Sequence, residues 1–209
     1  VIPLAIMLIL CLTTVVAIEG PRVATVVPGV LALSVMSTAF TALAVSTGFD
    51  RRYGALALLG TTPLTRTQLL TAKILAVLLV EVLQCSMVAV IGLLLGWRPN
   101  AAGLYAVLLV IVGTAAFASW GLLLAGTLRA EATLAVANGV YLLLLLGGGT
   151  LLALPGTWGI ALQFLPSAAL GSGLRDALVH GTLAWLPTVI LLAWAGVGTL
   201  LASRFFRWQ

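Results

Sequence analysis

Charge is what this sequence has least of. Asp, Glu, Lys and Arg make up 7% of its 209 residues and hydrophobic residues 62%, whereas a soluble domain is about 25% charged and about 45–50% apolar. That balance excludes an ordinary soluble domain and marks an integral membrane protein. Histidine occurs once, at His180, and lysine once, at Lys73; the two cysteines, Cys11 and Cys85, both lie inside apolar runs. With no CxxC and no Cys/His cluster, neither a disulfide framework nor a metal centre is indicated, and the lone His180 reads as an interfacial polar residue. A G-x-x-x-x-G-K-[ST] loop is missing because Lys73 follows Ala72, one histidine cannot make H-E-x-x-H, and no G-x-S-x-G elbow occurs. No catalytic or cofactor site is expected in this chain, so any work it does draws on another chain or on an ion gradient.

What is present is Leu, Val, Ala and Gly in long runs, without the alternating ten-residue segments of an outer-membrane barrel. In a bilayer every backbone polar group must be satisfied within the protein, so such runs become helices. The runs predict an all-α fold of six transmembrane helices, at about residues 1–18, 30–48, 68–96, 101–126, 132–154 and 185–202. The chain opens at Val1 and is apolar at once, without a basic leader region or a small-residue cleavage pattern. The first run is therefore expected to be what remains of a truncated first span. Glu19 to Arg22 break it, a weakly apolar stretch leads to Pro28-Gly29, and Trp97 is expected at interfacial level. Residues 155–181 are too polar for a full span and too apolar for a free loop; they predict one or two short re-entrant or interfacial helices, the second over 167–179, on the extracytoplasmic side.

The net charge of +5 is spread thinly over span ends, which explains orientation in a membrane better than nucleic-acid binding. One side collects Arg51, Arg52, Arg66, Lys73, Arg129, Arg204 and Arg207, the other Arg22, Arg98 and Arg175. By the positive-inside rule the first set, with both termini, is expected in the cytoplasm.

Polar residues within the spans are few. Ser34, Ser37, Thr38 and Thr41 recur at helical spacing and predict one hydroxyl face, either a close-packing seam or a substrate pathway. Asn138 and Tyr141 on the fifth span are candidates for the same pathway. Glu81, with Gln84 three residues on, lies mid-span, where an ionisable group costs about 2.5 kcal/mol or more and must face protein or water; it reads as an interhelical hydrogen-bonding group or as a proton or cation site. Gly113, Ala116, Ser119 and Gly121 are suited to close helix approach, and Gly147-Gly148-Gly149 weakens the fifth span near its end.

Only residues 49–66, FDRRYGALALLGTTPLTR, mix charge, turn formers and apolar side chains away from the C-terminus. This loop is longer than two spans need. Asp50, Arg51 and Arg52 mark the membrane exit, Tyr53 and Gly54 follow, Ala55 to Leu59 with Leu56 make a short amphiphilic helix, Gly60 to Pro63 make a turn, and Pro63 to Arg66 lead into the next helix. Exposed apolar side chains beside arginines make it a candidate docking surface, the plainer alternative being a helix lying on membrane lipids.

The stretch FDRRYGALALLGTTPLTRTQLLTAK resembles the acidic-Arg-x-x-Gly…Pro-(Leu/Val)-(Ser/Thr)-Arg…Lys pattern of permease subunits in the type-2 ABC exporter family. The similarity continues in VPGVLALSVMSTAF, in the glycine-rich end of the fifth span, in FLPSAALGSGLRDAL and in ASRFFRW, so that residues 1–209 read as one permease domain. Asp50 stands where Glu is commoner and Ala55 where Thr is common. The resemblance implies a loop at 49–66 seated on a separate ATPase subunit that holds ATP and magnesium, a homo- or heterodimer of permeases in a bacterial inner membrane, and export of a drug, lipid or glycan. Asp50, Arg51, Arg52, Tyr53, Gly54, Leu56, Leu59, Pro63 and Arg66 would then carry the coupling. Two rivals stand beside it: a proton-coupled carrier centred on Glu81, and a membrane scaffold that transports nothing.

Overall fold

The computed structural model describes residues 2–12, 22–54, 66–98, 103–148, 162–183 and 185–205. Among them the chain is helical throughout. Helix α1 (Ile2–Leu12) is followed by α2 (Arg22–Val35), which continues through a π-helical segment (Met36–Ala42) into α3 (Leu43–Arg52). Then come α4 (Arg66–Leu94), α5 (Gly103–Thr127), α6 (Ala130–Gly147), the short α7 (Pro166–Arg175) with a π-helical turn (Asp176–His180), and α8 (Trp185–Phe205).

Five of these stretches are long and apolar enough to cross a bilayer: Val23–Arg52, Thr71–Leu94, Gly103–Thr127, Ala130–Gly147 and Trp185–Phe205. The described part of the first expected span, α1, rises about 16 Å and packs on α2 with Met7 fully buried.

The continuous rod α2–π–α3 is the centre of the bundle. Val26, Val27, Val30, Ala32, Leu33, Val35 and Met36 are all buried in it, and α1, α4, α5, α6 and α7 pack around it. This corrects the expected start of the second span at about residue 30: the helix starts at Arg22 and runs through Pro28. Proline removes one backbone donor, and dense packing by neighbouring helices holds the rod together where lipid would not. By contrast α4, α6 and α8 turn most of their side chains outward, as apolar helices facing hydrocarbon do.

Glycines set the closest approaches. A Cβ on Gly121 of α5 would lie 2.8 Å from the Phe40 carbonyl oxygen, and one on Gly198 of α8 would lie 2.2 Å from Ser119 Oγ. The small-residue face expected on α5 thus admits the rod on one side and α8 on the other. Gly113 meets Leu170 of α7 in the same way, at 2.9 Å. The fifth span ends at Gly148, where a Cβ would collide with Ser167 Oγ; α7 comes down on that point and is itself buried through Ser167, Ala169, Leu170 and Leu174. It fulfils the expectation of a short helix over 167–179, extended by the π turn to His180 and closed by Gly181 at φ +68°.

Trp97, at the end of α4, is buried within the chain. Helix α4 closes in a Schellman turn, with the Gly96 N–H donating to Leu93 O at 3.0 Å and the Trp97 N–H to Gly92 O at 2.8 Å. Gly96 supplies the left-handed φ of +89°, and the chain folds back so that the indole covers Gly92 and is only 6% exposed.

Candidate functional site

At one end of the bundle, α3 reaches its last turn and three consecutive charged residues find three different partners. Asp50 Oδ2 accepts from Lys73 Nζ of α4 at 2.6 Å. Arg51 donates to the carbonyl oxygens of Gly126, at 2.8 Å, and Leu128, at the corner between α5 and α6. Arg52 pairs with Glu131 in the first turn of α6. Tyr53 is 75% exposed and stacks on Phe49, with the Arg52 guanidinium 5.9 Å from its ring. Gly54 then ends the helix at φ +73°, a conformation that glycine adopts without strain. Leu56, Leu59 and Pro63 lie outside the described residues, and Arg66 opens α4.

The α5–α6 corner is two residues long, and its polar groups are well placed. Leu128 N–H donates to Leu124 O and Thr127 Oγ1 to Leu123 O, while Thr133 donates to Arg129 O through both its N–H, at 2.7 Å, and its hydroxyl, at 3.0 Å. Among the last carbonyls of α5, the one at Gly126 is covered by the Arg51 cation, where the helix dipole favours positive charge.

Within the membrane the polar residues divide into two sets. The inner set is largely buried, with Glu81 Oε1 left without a partner among the described residues. Thr38 of the π segment donates to Gln84 Oε1 at 2.8 Å, joining the rod to α4. Glu81, 1% exposed on the same face of α4, meets Thr114 Oγ1 of α5 at 2.5 Å, and that hydroxyl also lies 2.8 Å from Val110 O. A hydroxyl has one hydrogen; both contacts are hydrogen bonds at once only when the carboxyl supplies the second. Ser34 is fully buried and bonds back to Val30 O.

The second set is less deeply buried. Ser37 is half-buried and bonds to Ser34 O. Thr41 is half-buried, and its hydroxyl oxygen is itself buried and has no partner among the described residues. On α6, which packs beside the π segment and α3, Asn138 is exposed and donates to Leu134 O one turn back at 2.8 Å, Gly139 lies in open space, and Tyr141 is half-buried. Ser34 and Thr38 are thus the more deeply buried hydroxyl residues of the rod, and Ser37 and Thr41 the less deeply buried.

An apolar cavity of about 300 Å³ lies between α5, α6 and α8, with Phe40, Phe117, Trp120, Leu144 and Trp194 in its walls. Both indoles spend their N–H on backbone carbonyls, Trp120 on Trp194 O at 3.1 Å and Trp194 on Phe164 O at 2.9 Å, and turn carbon toward the space.

Sequence reasoning singled out the residues of the α3 end and missed their internal partners. The available signal was that Asp50, Arg51, Arg52, Lys73 and Glu131 all fall at span ends assigned to one side, where opposite charges can meet.

Comparison with known proteins agrees with this architecture. The chain is 26% identical over 187 residues to "Putative transport permease YvfS" of Bacillus subtilis (strain 168), covering 84% of this chain and 74% of that protein. No solved structure shows significant similarity. The family model described as ABC-2 family transporter protein matches residues 2–204. Spans, internal polar clamps and this match over nearly the full length agree: the chain belongs to the ABC-2 family of transporter proteins and is a multi-pass transport permease.

Proposed function

We propose that this permease is the membrane half of an ATP-driven exporter, energised by a separate ABC ATPase subunit that docks on the 49–66 loop at the cytoplasmic face. The observation that carries the pathway is the division of the polar residues. Ser34, Thr38, Glu81, Gln84 and Thr114 are drawn into hydrogen bonds inside the chain, while Ser37 and Thr41 are half-buried on the rod and Asn138 is exposed on the adjacent α6. A polar face at membrane depth is disfavoured against lipid and calls for protein or water opposite it. A second permease copy, or a sister permease, supplies that opposite wall, and the substrate passes between the two. Because Ala42, Val45 and Leu142 are exposed or half-buried on these same helices, the wall mixes hydroxyls with hydrocarbon and suits a hydrophobic or amphiphilic substrate such as a drug, a lipid or a lipid-linked glycan.

The test is export from inverted vesicles that contain the permease and its ATPase. ATP depletion is expected to stop export, collapse of the proton gradient to leave it running, and Glu81→Gln to transport normally, since the amide keeps a donor toward Thr114. Ser37→Trp or Thr41→Trp is expected to block export with the ATPase still associated. Export that ignores ATP depletion and fails with the proton gradient or with Glu81→Gln would establish the proton-coupled carrier instead.

A further inference from the structure

Asp50, Arg51 and Arg52 carry the charge that makes the 49–66 loop look like a docking surface, yet each of the three is engaged within the chain. Successive residues of a helix point about 100° apart, and here the three directions meet three neighbours: Lys73 near the start of α4, the Gly126 and Leu128 carbonyls where α5 ends, and Glu131 where α6 begins. The Lys73 side chain is only 16% exposed with its ammonium 2.6 Å from Asp50, and Arg51 ties the end of α5 to the first residue of the two-residue corner. Residue 53 differs: the Tyr53 ring stands out from the bundle.

We infer that Asp50, Arg51 and Arg52 form an intramolecular hub, with Lys73 as its positioning partner, that binds the ends of α3, α4, α5 and α6 into one body. This rests on the ATP-driven reading above and moves the docking contact from the three charged residues to the exposed Tyr53. Asp50 and Lys73 bracket the loop, one on each of its two stems. A displacement of the loop therefore moves both stems together unless the ion pair breaks, and Arg51 and Arg52 pass the same displacement to the α5–α6 corner. The motion reaches Ser37 and Thr41 along the rod and Asn138 along α6, the two walls assigned to the pathway.

The decisive experiment is a charge swap in the full-length permease, co-expressed and reconstituted with its ATPase. Asp50→Lys and Lys73→Asp are each expected to retain the ATPase on purification and to lower ATP-driven export about tenfold, within the roughly 5–150-fold span of coupling between sites; the double swap is expected to restore most of it. The thermal midpoint of the permease alone is expected to fall in each single variant and recover in the swap, whatever drives transport. Loss of the ATPase from well-folded single variants would make these residues the docking surface and overturn the hub. A swap that recovers neither export nor thermal midpoint, or single variants indistinguishable from wild type in both, would overturn it as well. Wild-type export insensitive to ATP depletion would refute the ATP-driven reading alone, because the thermal arm still reports on the hub.

Discussion

Gly121→Ala asks one methyl group to occupy a place that two backbones already fill. The added Cβ would stand 2.8 Å from Phe40 O and 3.2 Å from Ala39 O, both main-chain atoms of the π segment, so no rotamer change relieves the contact and α5 must move off the rod. Overpacking of this kind costs typically about 1–3 kcal/mol, while alanine in place of a helical glycine returns about 0.5–1 kcal/mol. Gly139→Ala on α6 is the matched control. It is helical and exposed, with nothing within 4 Å of the new methyl, so it receives the propensity gain without the clash. The difference between the two variants isolates the steric part, about 1–3 kcal/mol. Thermal unfolding of both in one detergent measures it: Gly121→Ala is expected to melt below wild type and Gly139→Ala at or above it. Equal midpoints for the two would refute the contact between α5 and the π segment on which the centre of the bundle is built.

The remaining predictions concern the polar set and the turns. Thr38→Val and Gln84→Leu are each expected to destabilise the protein, and a double-mutant cycle to show coupling of about 0.6 kcal/mol, the usual size for a hydrogen bond between membrane helices; strict additivity would deny the bond. Gly96→Ala is expected to cost about 1–2 kcal/mol because a side chain resists the left-handed conformation, read as a lower thermal midpoint; an unchanged midpoint would remove the Schellman closure as the reason for Trp97 burial. Asn138→Leu is expected to leave the stability of the single chain unchanged, since among the described residues the side chain bonds only its own helix, yet to reduce cross-linking between permease copies; undiminished cross-linking would take Asn138 out of the copy interface.

Much of this fold is written in the sequence because hydrocarbon is a simple solvent. The third to sixth expected spans coincide with α4, α5, α6 and α8, as long apolar runs have one solution in a bilayer. What local pattern does not hold is tertiary. The second span is expected to start near residue 30, after Pro28-Gly29, and packing on the rod lets the helix begin at Arg22. The burial of Trp97 against Gly92, which follows from the turn at Gly96, is likewise not visible in the local sequence. The Ser34 to Thr41 period assumes an unbroken α-helix, and nothing in MSTAFTA announces a π segment. Around Glu81 the reading was nearer: a buried group with a hydrogen-bonding partner was one of two alternatives, although Thr114, 33 residues away, is not visible from spacing. At the end of α3 the residues were legible as important and their partners were not, because a charge in a sequence shows its sign and not its direction.

The seven π-helical residues of the central rod have a mechanical consequence. Taking one residue out of a widened turn, by letting it relax to α-helix, rotates everything beyond it by about 100° about the axis, with Arg22–Val35 held in place. Such a change at Met36–Ala42 would turn Asp50 to Arg52 relative to Arg22–Val35. Ser37, Thr38 and Thr41 lie in the segment where the winding would change.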